Sequence, residues 1–177
     1  MKPAGRGSRK VAIIRFCKSA FAFSLQLERG REMKVYLDNS VLNRPYDDQR
    51  QPRVWLETLC FVLILQLVEN GEAELVRSAF HILENNESRT TDRREWVEAC
   101  LNLASSVARI SAEMEHRAGL LAKAGLKALD AAHLAAAESA TADFFVTCDD
   151  QLIRKYRGPL RTLTPPELIL ALTKEQP

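Results

Sequence analysis

Residues 126–150 constrain the fold more than any other stretch, because they join an alanine-rich helical pattern to a short apolar strand and each half carries an acid. Asp130 interrupts the apolar helical half, where a carboxylate is costly unless it is paired, protonated or bound to a cation. The apolar run Phe144–Val146 then leads to Asp149. Ligands of open α/β sheets bind at the carboxyl ends of strands. The stretch therefore predicts a two-acid site that needs a partner, most simply a divalent metal.

The same order of strand and acid opens the domain. The run Lys34–Leu37 favours a strand and leads to Asp38. A second strand is predicted at 74–78, and residues 79–86, which contain Glu84, are predicted to be the start of a helix. The remaining predicted strands are 107–110 and 160–163, and the remaining predicted helices are 54–70, 91–105, 111–123, 151–156 and 167–172, with turns over 41–51. This alternation predicts an α/β fold with a mainly parallel sheet that is covered by helices on both faces.

The formal charge of +2 hides two oppositely charged parts. Residues 1–32 hold 8 Lys+Arg and 2 Asp+Glu, a balance of +6, which leaves 17 against 21, or −4, for residues 33–177. We interpret residues 1–32 as a basic N-terminal extension: a disordered tail, a basic arm for nucleic acid, or chain upstream of a true start at Met33. A cleaved targeting segment is disfavoured because Arg15 and Lys18 interrupt its apolar core. Residues 33–177 then suffice for one domain.

Cysteine usage and hydropathy exclude several classes of protein. The four cysteines show no CxxC or Cys/His spacing, so neither a zinc site nor a disulfide framework is indicated. A reducing cytoplasm is the expected location. The longest apolar run, Leu59–Val68, is shorter than the ~20 residues needed to span a bilayer, so we expect no membrane partner. The apolar character of this run also predicts a homodimer.

The acids form a candidate constellation in chain order: Asp38, Glu84, Asp130 and Asp149. Mutual repulsion raises the proton affinity of such a cluster unless a cation neutralises it. Oxygen ligands without His or Cys favour Mg²⁺ or Mn²⁺ over zinc.

Simpler interpretations of these acids stay open. Asp38 and Asp149 could each cap the helix that follows. Glu84 lies among polar residues, where solvation is as plausible as a role in a site. Asp150 is a rival to Asp149, but the strand end and the Thr-x-Asp spacing favour Asp149. The three histidines, His81, His116 and His133, are expected to be hydrogen-bonded or solvent-facing, because none has partners at metal-ligand spacing.

Four segments together resemble the PIN-domain family of metal-dependent ribonucleases, which includes the VapC-type toxins of toxin–antitoxin pairs. They are Tyr36–Ser40, Ser78 with Glu84, Leu129–Ala137 and Val146–Asp149. Each segment alone is weakly specific, whereas four in the right order are much more so. The similarity covers roughly residues 33–172, and residues 1–32 show no match.

The resemblance implies a three-layer α/β/α sandwich in which Asp38, Asp130 and Asp149 are metal ligands and Glu84 is a ligand or orients the water. Ser40, Thr147 and Asn39 would hydrogen-bond the carboxylates or a metal water. The implied cofactor is Mg²⁺ or Mn²⁺, which would polarise a phosphodiester and activate water.

The implied activity is an endoribonuclease that hydrolyses RNA, as the toxin of a type II pair with a small antitoxin partner. The alternative from another class is a non-catalytic PIN-like module that binds RNA or protein through the helix at 54–70. A DNase with the same site is a third option. Metal titration separates the first two, since a binding module need show no carboxylate-dependent metal affinity.

Overall fold

The structure of the protein, a computed structural model, describes residues 33–174. The interpretations of residues 1–32 lie outside this range. The strands are β1 (Met33–Leu37), β2 (Ala73–Ser78), β3 (Ser106–Ala108), β4 (Phe144–Val146) and β5 (Arg161–Leu163). The helices are α1 (Asn39–Leu42), α2 (Pro52–Glu69), α3 (Ala79–Asn86), α4 (Thr91–Leu101), α5 (Ala112–Lys123), α6 (Ala128–Ser139), α7 (Asp150–Lys155) and α8 (Pro165–Lys174), and Arg44–Tyr46 forms a 3-10 turn.

The five strands form one parallel sheet in the order β3-β2-β1-β4-β5. From β1 the chain builds outward to β2 and β3, and it then crosses back to place β4 on the other side of β1. The order therefore reverses between β1 and β4, where Leu37 pairs with Val146. In open parallel sheets the crevice for a ligand forms at this reversal, outside the carboxyl ends of the strands.

Neighbouring residues of β1 belong to two separate cores. Val35 and Leu37 pack in the cluster that contains residues of α2, α4 and α8. Tyr36 packs in the opposite cluster with Phe145 and residues of α5 and α6. All three β1 side chains are fully buried, as expected of a central parallel strand covered on both faces. The predicted α/β/α sandwich is thus confirmed.

Several element boundaries differ from the sequence-based expectation. Helix α4 ends at Leu101 instead of 105, because Asn102 already caps it through bonds to Glu98 O and Cys100 O. Strand β3 begins at Ser106, one residue early, and is short. Residues 41–51, expected to be turns only, contain the end of α1 and the 3-10 turn.

Helix α2 presents two kinds of apolar surface. Phe61 and Ile64 lie in the core, whereas Trp55, Leu56 and Leu59 are exposed. Among the helices of residues 33–174, α2 included, none combines the length and apolarity needed to cross a membrane.

Candidate metal centre

Asp38 follows β1 directly and its carboxylate is fixed by two hydroxyl groups. The Ser40 hydroxyl donates to Oδ2 over 2.5 Å and the Thr147 hydroxyl donates to the same oxygen over 2.8 Å. Asp38 occupies the N-cap position of α1, but its side chain makes no cap bond, so capping does not explain this acid. Both hydroxyls donate to the same oxygen. They therefore fix the orientation of this buried carboxylate at the end of β1.

Asp149 reaches the same edge of the sheet from β4. Its Oδ1 accepts from the backbone N–H groups of Gln151 and Leu152 at 2.7 and 3.1 Å, so the residue does cap α7. Its own N–H donates to the Thr147 hydroxyl over 3.1 Å. Because the cap occupies Oδ1, capping is compatible with a second role for Oδ2 of the same carboxylate.

Asp130 lies in the first turn of α6 and is half-buried. Burial raises the pKa of this carboxyl, and the neighbouring carboxylates of Asp38, Asp149 and Glu84 raise it further, while Lys127 acts in the opposite direction. The pKa of Asp130 therefore responds to the three other acids of the constellation. Such a cluster is a site of high affinity for a proton or a cation.

Glu84 lies in α3 with a side chain that is 36% exposed, and its Oε2 is 3.1 Å from Nε2 of the buried His133. Asp38, Glu84 and His133 each offer a ligand atom, and these atoms lie within 4.8 Å of one another. Glu84, which the sequence left between solvent and site, thus faces Asp38.

His133 is the neighbour of the acids that the sequence did not indicate. It is hydrogen-bonded, as expected, with Nδ1 at 2.7 Å from the Tyr36 hydroxyl and Nε2 against Glu84. The spacing in the sequence could have indicated this position, because His133 follows Asp130 by three residues and so lies on the same face of the helix. His81 is also hydrogen-bonded and buried, whereas His116 is exposed.

Two predicted neighbours of the site have other partners. The Asn39 amide donates to the carbonyl oxygen of His81 over 3.2 Å instead of to a carboxylate. Asp150 accepts a bidentate pair of bonds from Arg53 at 2.6 and 2.7 Å. This pairing holds the pKa of Asp150 below its usual range and supports the preference for Asp149 as the acid of the site.

The donor set fits a hard divalent cation. Ligand atoms of Asp38 and Glu84 lie together with one of His133, whereas Asp130 and Asp149 are not part of this close group. Asp130 is related to the other acids through its pKa, which Asp38, Asp149 and Glu84 raise. Oxygen donors of this kind suit Mg²⁺ or Mn²⁺.

Comparison with curated proteins finds no match. Among solved structures, PAE2754 from Pyrobaculum aerophilum matches with a TM-score of 0.47 and 15% identity, covering 88% of this chain and 99% of its own. VapBC2 from Rickettsia felis, bound to a DNA fragment from its promoter, matches with a TM-score of 0.47 and 17% identity, covering 74% of this chain and 97% of its own. The family model of the PIN domain matches residues 35–158, a span that contains all four acids. The chain belongs to the PIN domain family.

Proposed function

We propose that this PIN-domain protein is a metal-dependent endoribonuclease that hydrolyses RNA phosphodiester bonds. Asp38, Glu84, Asp130 and Asp149 would hold Mg²⁺ or Mn²⁺. The observation that carries the proposal is the proximity of Asp38 and Glu84, whose ligand atoms lie within 4.8 Å of each other. In addition, both acids and Asp149 raise the pKa of Asp130, together with its burial. Like charges gathered in this way are unfavourable in the free protein and become favourable when a cation binds.

The roles of the side chains follow from their surroundings. Asp38 would be the most firmly held ligand, because Ser40 and Thr147 both donate to its Oδ2 and neither occupies its Oδ1. Asp149 is anchored by its cap bonds. Glu84 is more exposed and lies opposite Asp38, a position suited to orienting an attacking water. When bound, the cation polarises the phosphodiester and activates water.

The phosphates of RNA are repelled by this acidic edge of the sheet, so binding requires positively charged side chains around it. Several arginines near the motifs are already engaged with acids: Arg44 and Arg53 with Glu57, Arg50 with Asp48 and Arg93 with Asp47. We therefore assign phosphate contacts first to the exposed Arg154 and Lys155 in the last turn of α7, the helix that Asp149 caps.

A toxin role, with a small antitoxin as partner and the cytoplasm as location, is part of the proposal and rests on the resemblance of the motifs. Homodimerisation is supported by the exposed Trp55, Leu56 and Leu59 on α2. Light scattering measures the mass directly. A monomeric mass at working concentration would reject the dimer and leave the nuclease proposal intact.

The central experiment combines calorimetric titration of Mn²⁺ with an RNA cleavage assay on the purified chain. We expect carboxylate-dependent binding and cleavage, and Asp38→Asn should abolish both while the protein stays folded. If the parent chain cleaves no RNA with Mn²⁺, and Asp38→Asn changes neither metal binding nor growth inhibition in cells, the proposal is wrong. Binding of RNA without metal affinity would instead identify the non-catalytic module, and cleavage of DNA in competition with RNA would identify a DNase.

A further inference from the structure

A buried chain of polar side chains leads from β2 to the acid cluster. The Ser78 hydroxyl lies 2.6 Å from the Tyr36 hydroxyl, which lies 2.7 Å from Nδ1 of His133, whose Nε2 lies 3.1 Å from Oε2 of Glu84. Ser78, Tyr36 and His133 are 3%, 0% and 1% exposed. A chain of three groups shielded from water thus ends at one partly exposed carboxylate.

The direction of this chain is set by backbone groups whose roles are fixed. The N–H of Ser78 donates to Nδ1 of His81 over 3.0 Å, so that nitrogen carries no proton. Nε2 of His81 lies 2.8 Å from the carbonyl oxygen of Leu37, which can only accept, so Nε2 carries the proton. Burial, followed by the neighbouring His133, lowers the pKa of His81 to about 3, which keeps the ring neutral.

The neutral His81 decides where the Ser78 proton goes. The Ser78 hydroxyl is 3.3 Å from Nδ1 of His81, but the single lone pair of that nitrogen already accepts the Ser78 N–H. The shorter contact, with the Tyr36 hydroxyl, is therefore the one in which Ser78 donates. The Tyr36 proton must then point to Nδ1 of His133, and the proton of the neutral His133 ring lies on Nε2.

The opposite direction is unfavourable at both ends. If Nδ1 of His133 carried the proton, Tyr36 would donate to Ser78, and the buried Ser78 proton would lack a good acceptor among residues 33–174. The bare Nε2 lone pair would also face the Glu84 carboxylate at 3.1 Å. A buried polar group left without a partner is costly, so this arrangement is the less favourable one.

We infer that His133 is a positioning residue: its Nε2–H donates to Glu84 and holds that carboxylate in the acid cluster, with the bond direction imposed by Tyr36 and Ser78. An imidazole nitrogen that carries a proton has no lone pair for a metal, so His133 is not itself a ligand although it lies within reach of Asp38 and Glu84. The role of Glu84 rests on the proposed nuclease function, whereas the bond direction is a property of the metal-free protein.

The bond direction is tested on the metal-free full chain labelled with ¹⁵N histidine. Nitrogen chemical shifts should show His133 as the neutral tautomer with Nε2 protonated and Nδ1 bare. A ring protonated on Nδ1, alone or together with Nε2, overturns the inference. This measurement needs neither metal nor activity, so it decides the point even if the protein binds no Mn²⁺ and the nuclease proposal fails.

The positioning role is tested by Mn²⁺ affinity in two variants of similar size. His133→Leu removes the donor and should weaken Mn²⁺ binding by about 10-fold or more. His133→Gln can still donate an amide N–H towards Glu84 and should stay within about 10-fold of the parent, closer than His133→Leu. Parental affinity in a folded His133→Leu protein overturns the inference. So does an equal loss in both variants, because that result identifies the imidazole as a ligand.

A second pair of variants, with smaller changes, tests the inference even if the His133 variants misfold. Tyr36→Phe removes only the hydroxyl and keeps the ring that stacks on His81 and Phe145. Tyr156→Phe removes a comparable hydroxyl, which donates to Glu138 over 2.5 Å and has no bond to the acids of the cluster. Tyr36→Phe should weaken Mn²⁺ binding several-fold and allow the Nδ1-protonated tautomer of His133, while Tyr156→Phe should change neither. Identical behaviour of the two variants contradicts the inference.

Discussion

The Thr147 hydroxyl donates to Oδ2 of Asp38 over 2.8 Å although 109 residues separate them in the chain. This bond connects the ends of β4 and β1, the two strands between which the sheet order reverses. It therefore ties the position of the Asp38 carboxylate to correct pairing of the two strands. A carboxylate held in this way would lose less freedom on binding a cation, as the proposed function requires of Asp38.

Removal of this donor should weaken the metal site without unfolding the domain. Thr147→Val keeps the side-chain shape and should lower Mn²⁺ affinity by about 10-fold, the loss typical of a group that orients a ligand. Calorimetry measures it. Thr164→Val is the matched control, because its hydroxyl also donates to a carboxylate over 2.8 Å, that of Glu167. Equal Mn²⁺ affinity of Thr147→Val and the parent would show that the bond plays no part in binding.

Neighbouring aspartates at the start of α7 should behave differently. Asp149→Asn keeps a side chain that can cap the helix but removes a ligand charge, so we expect loss of metal binding with little loss of stability. Asp150→Asn breaks the bidentate pair with Arg53, which is half-exposed, and should leave Mn²⁺ affinity within about 3-fold of the parent. Titration of both variants decides between the two residues, and a greater loss in Asp150→Asn would reverse their assignment.

Asp130 should stabilise the protein only when metal is present. Its raised pKa reflects burial and three nearby carboxylates, so Asp130→Asn should raise the melting temperature of the protein in EDTA. With Mn²⁺ at about 100 times its dissociation constant, the parent should gain about 2.7 kcal/mol, and the variant should gain much less. Thermal unfolding of the parent and of Asp130→Asn, each in EDTA and in Mn²⁺, measures these differences in stability. A variant that is less stable in EDTA would contradict the repulsion that we infer.

The pH dependence of stability should carry the signature of His81. Burial and then His133 lower the pKa of His81 to about 3, although the nearby Glu84 opposes this shift. Between pH 6.5 and about 3 the unfolded chain therefore binds a proton that the folded chain excludes. Stability should fall as the pH falls through this window, by at most about 1.4 kcal/mol per pH unit.

Urea unfolding in EDTA at pH 7 and at pH 5 measures this slope for the parent and for His81→Gln. The variant cannot take up the proton and should show a shallower decline, whatever its absolute stability. Parallel declines would mean that His81 is not the group responsible.

Two glycines should respond to alanine with opposite signs. A Cβ on Gly158 would lie 2.1 Å from the Tyr156 hydroxyl oxygen, which is held by Glu138 and by the N–H of Leu160, so Gly158→Ala should cost about 1–3 kcal/mol. Gly119 lies inside α5 with nothing within 4 Å of its added Cβ, so Gly119→Ala should stabilise by about 0.5–1 kcal/mol. Denaturant unfolding compares them. A neutral Gly158→Ala would mean that the Tyr156 ring can shift at little cost.

Local patterns made much of the fold predictable. The apolar run before Asp38 and the run Phe144–Val146 became adjacent parallel strands, since parallel strands buried on both faces are continuously apolar. Residues 79–86, predicted to be the start of a helix, form the whole of α3. The predicted end of α4 was wrong. Leu103 and Ala104 continue the apolar pattern of the helix, but the backbone turns at Asn102.

The environment of each acid was less predictable than its position in the chain. The Tyr36–His133 and Tyr36–Ser78 bonds join residues 97 and 42 positions apart, and no spacing in the sequence encodes such contacts. The pairing of Asp150 with Arg53, 97 positions away, likewise depends on where α2 and α7 meet. Local patterns specify elements, whereas hydrogen-bond partners depend on tertiary packing.

The sheet order also has a consequence for synthesis. Strand β4 inserts between β1 and β5, so one edge of β1 stays unpaired until residues 144–146 have left the ribosome. A nascent chain can contain Asp38 and Glu84 long before Asp130 and Asp149 exist. The proposed site of four acids can therefore assemble only when most of the domain has been translated, and a product truncated before β4 lacks Asp149.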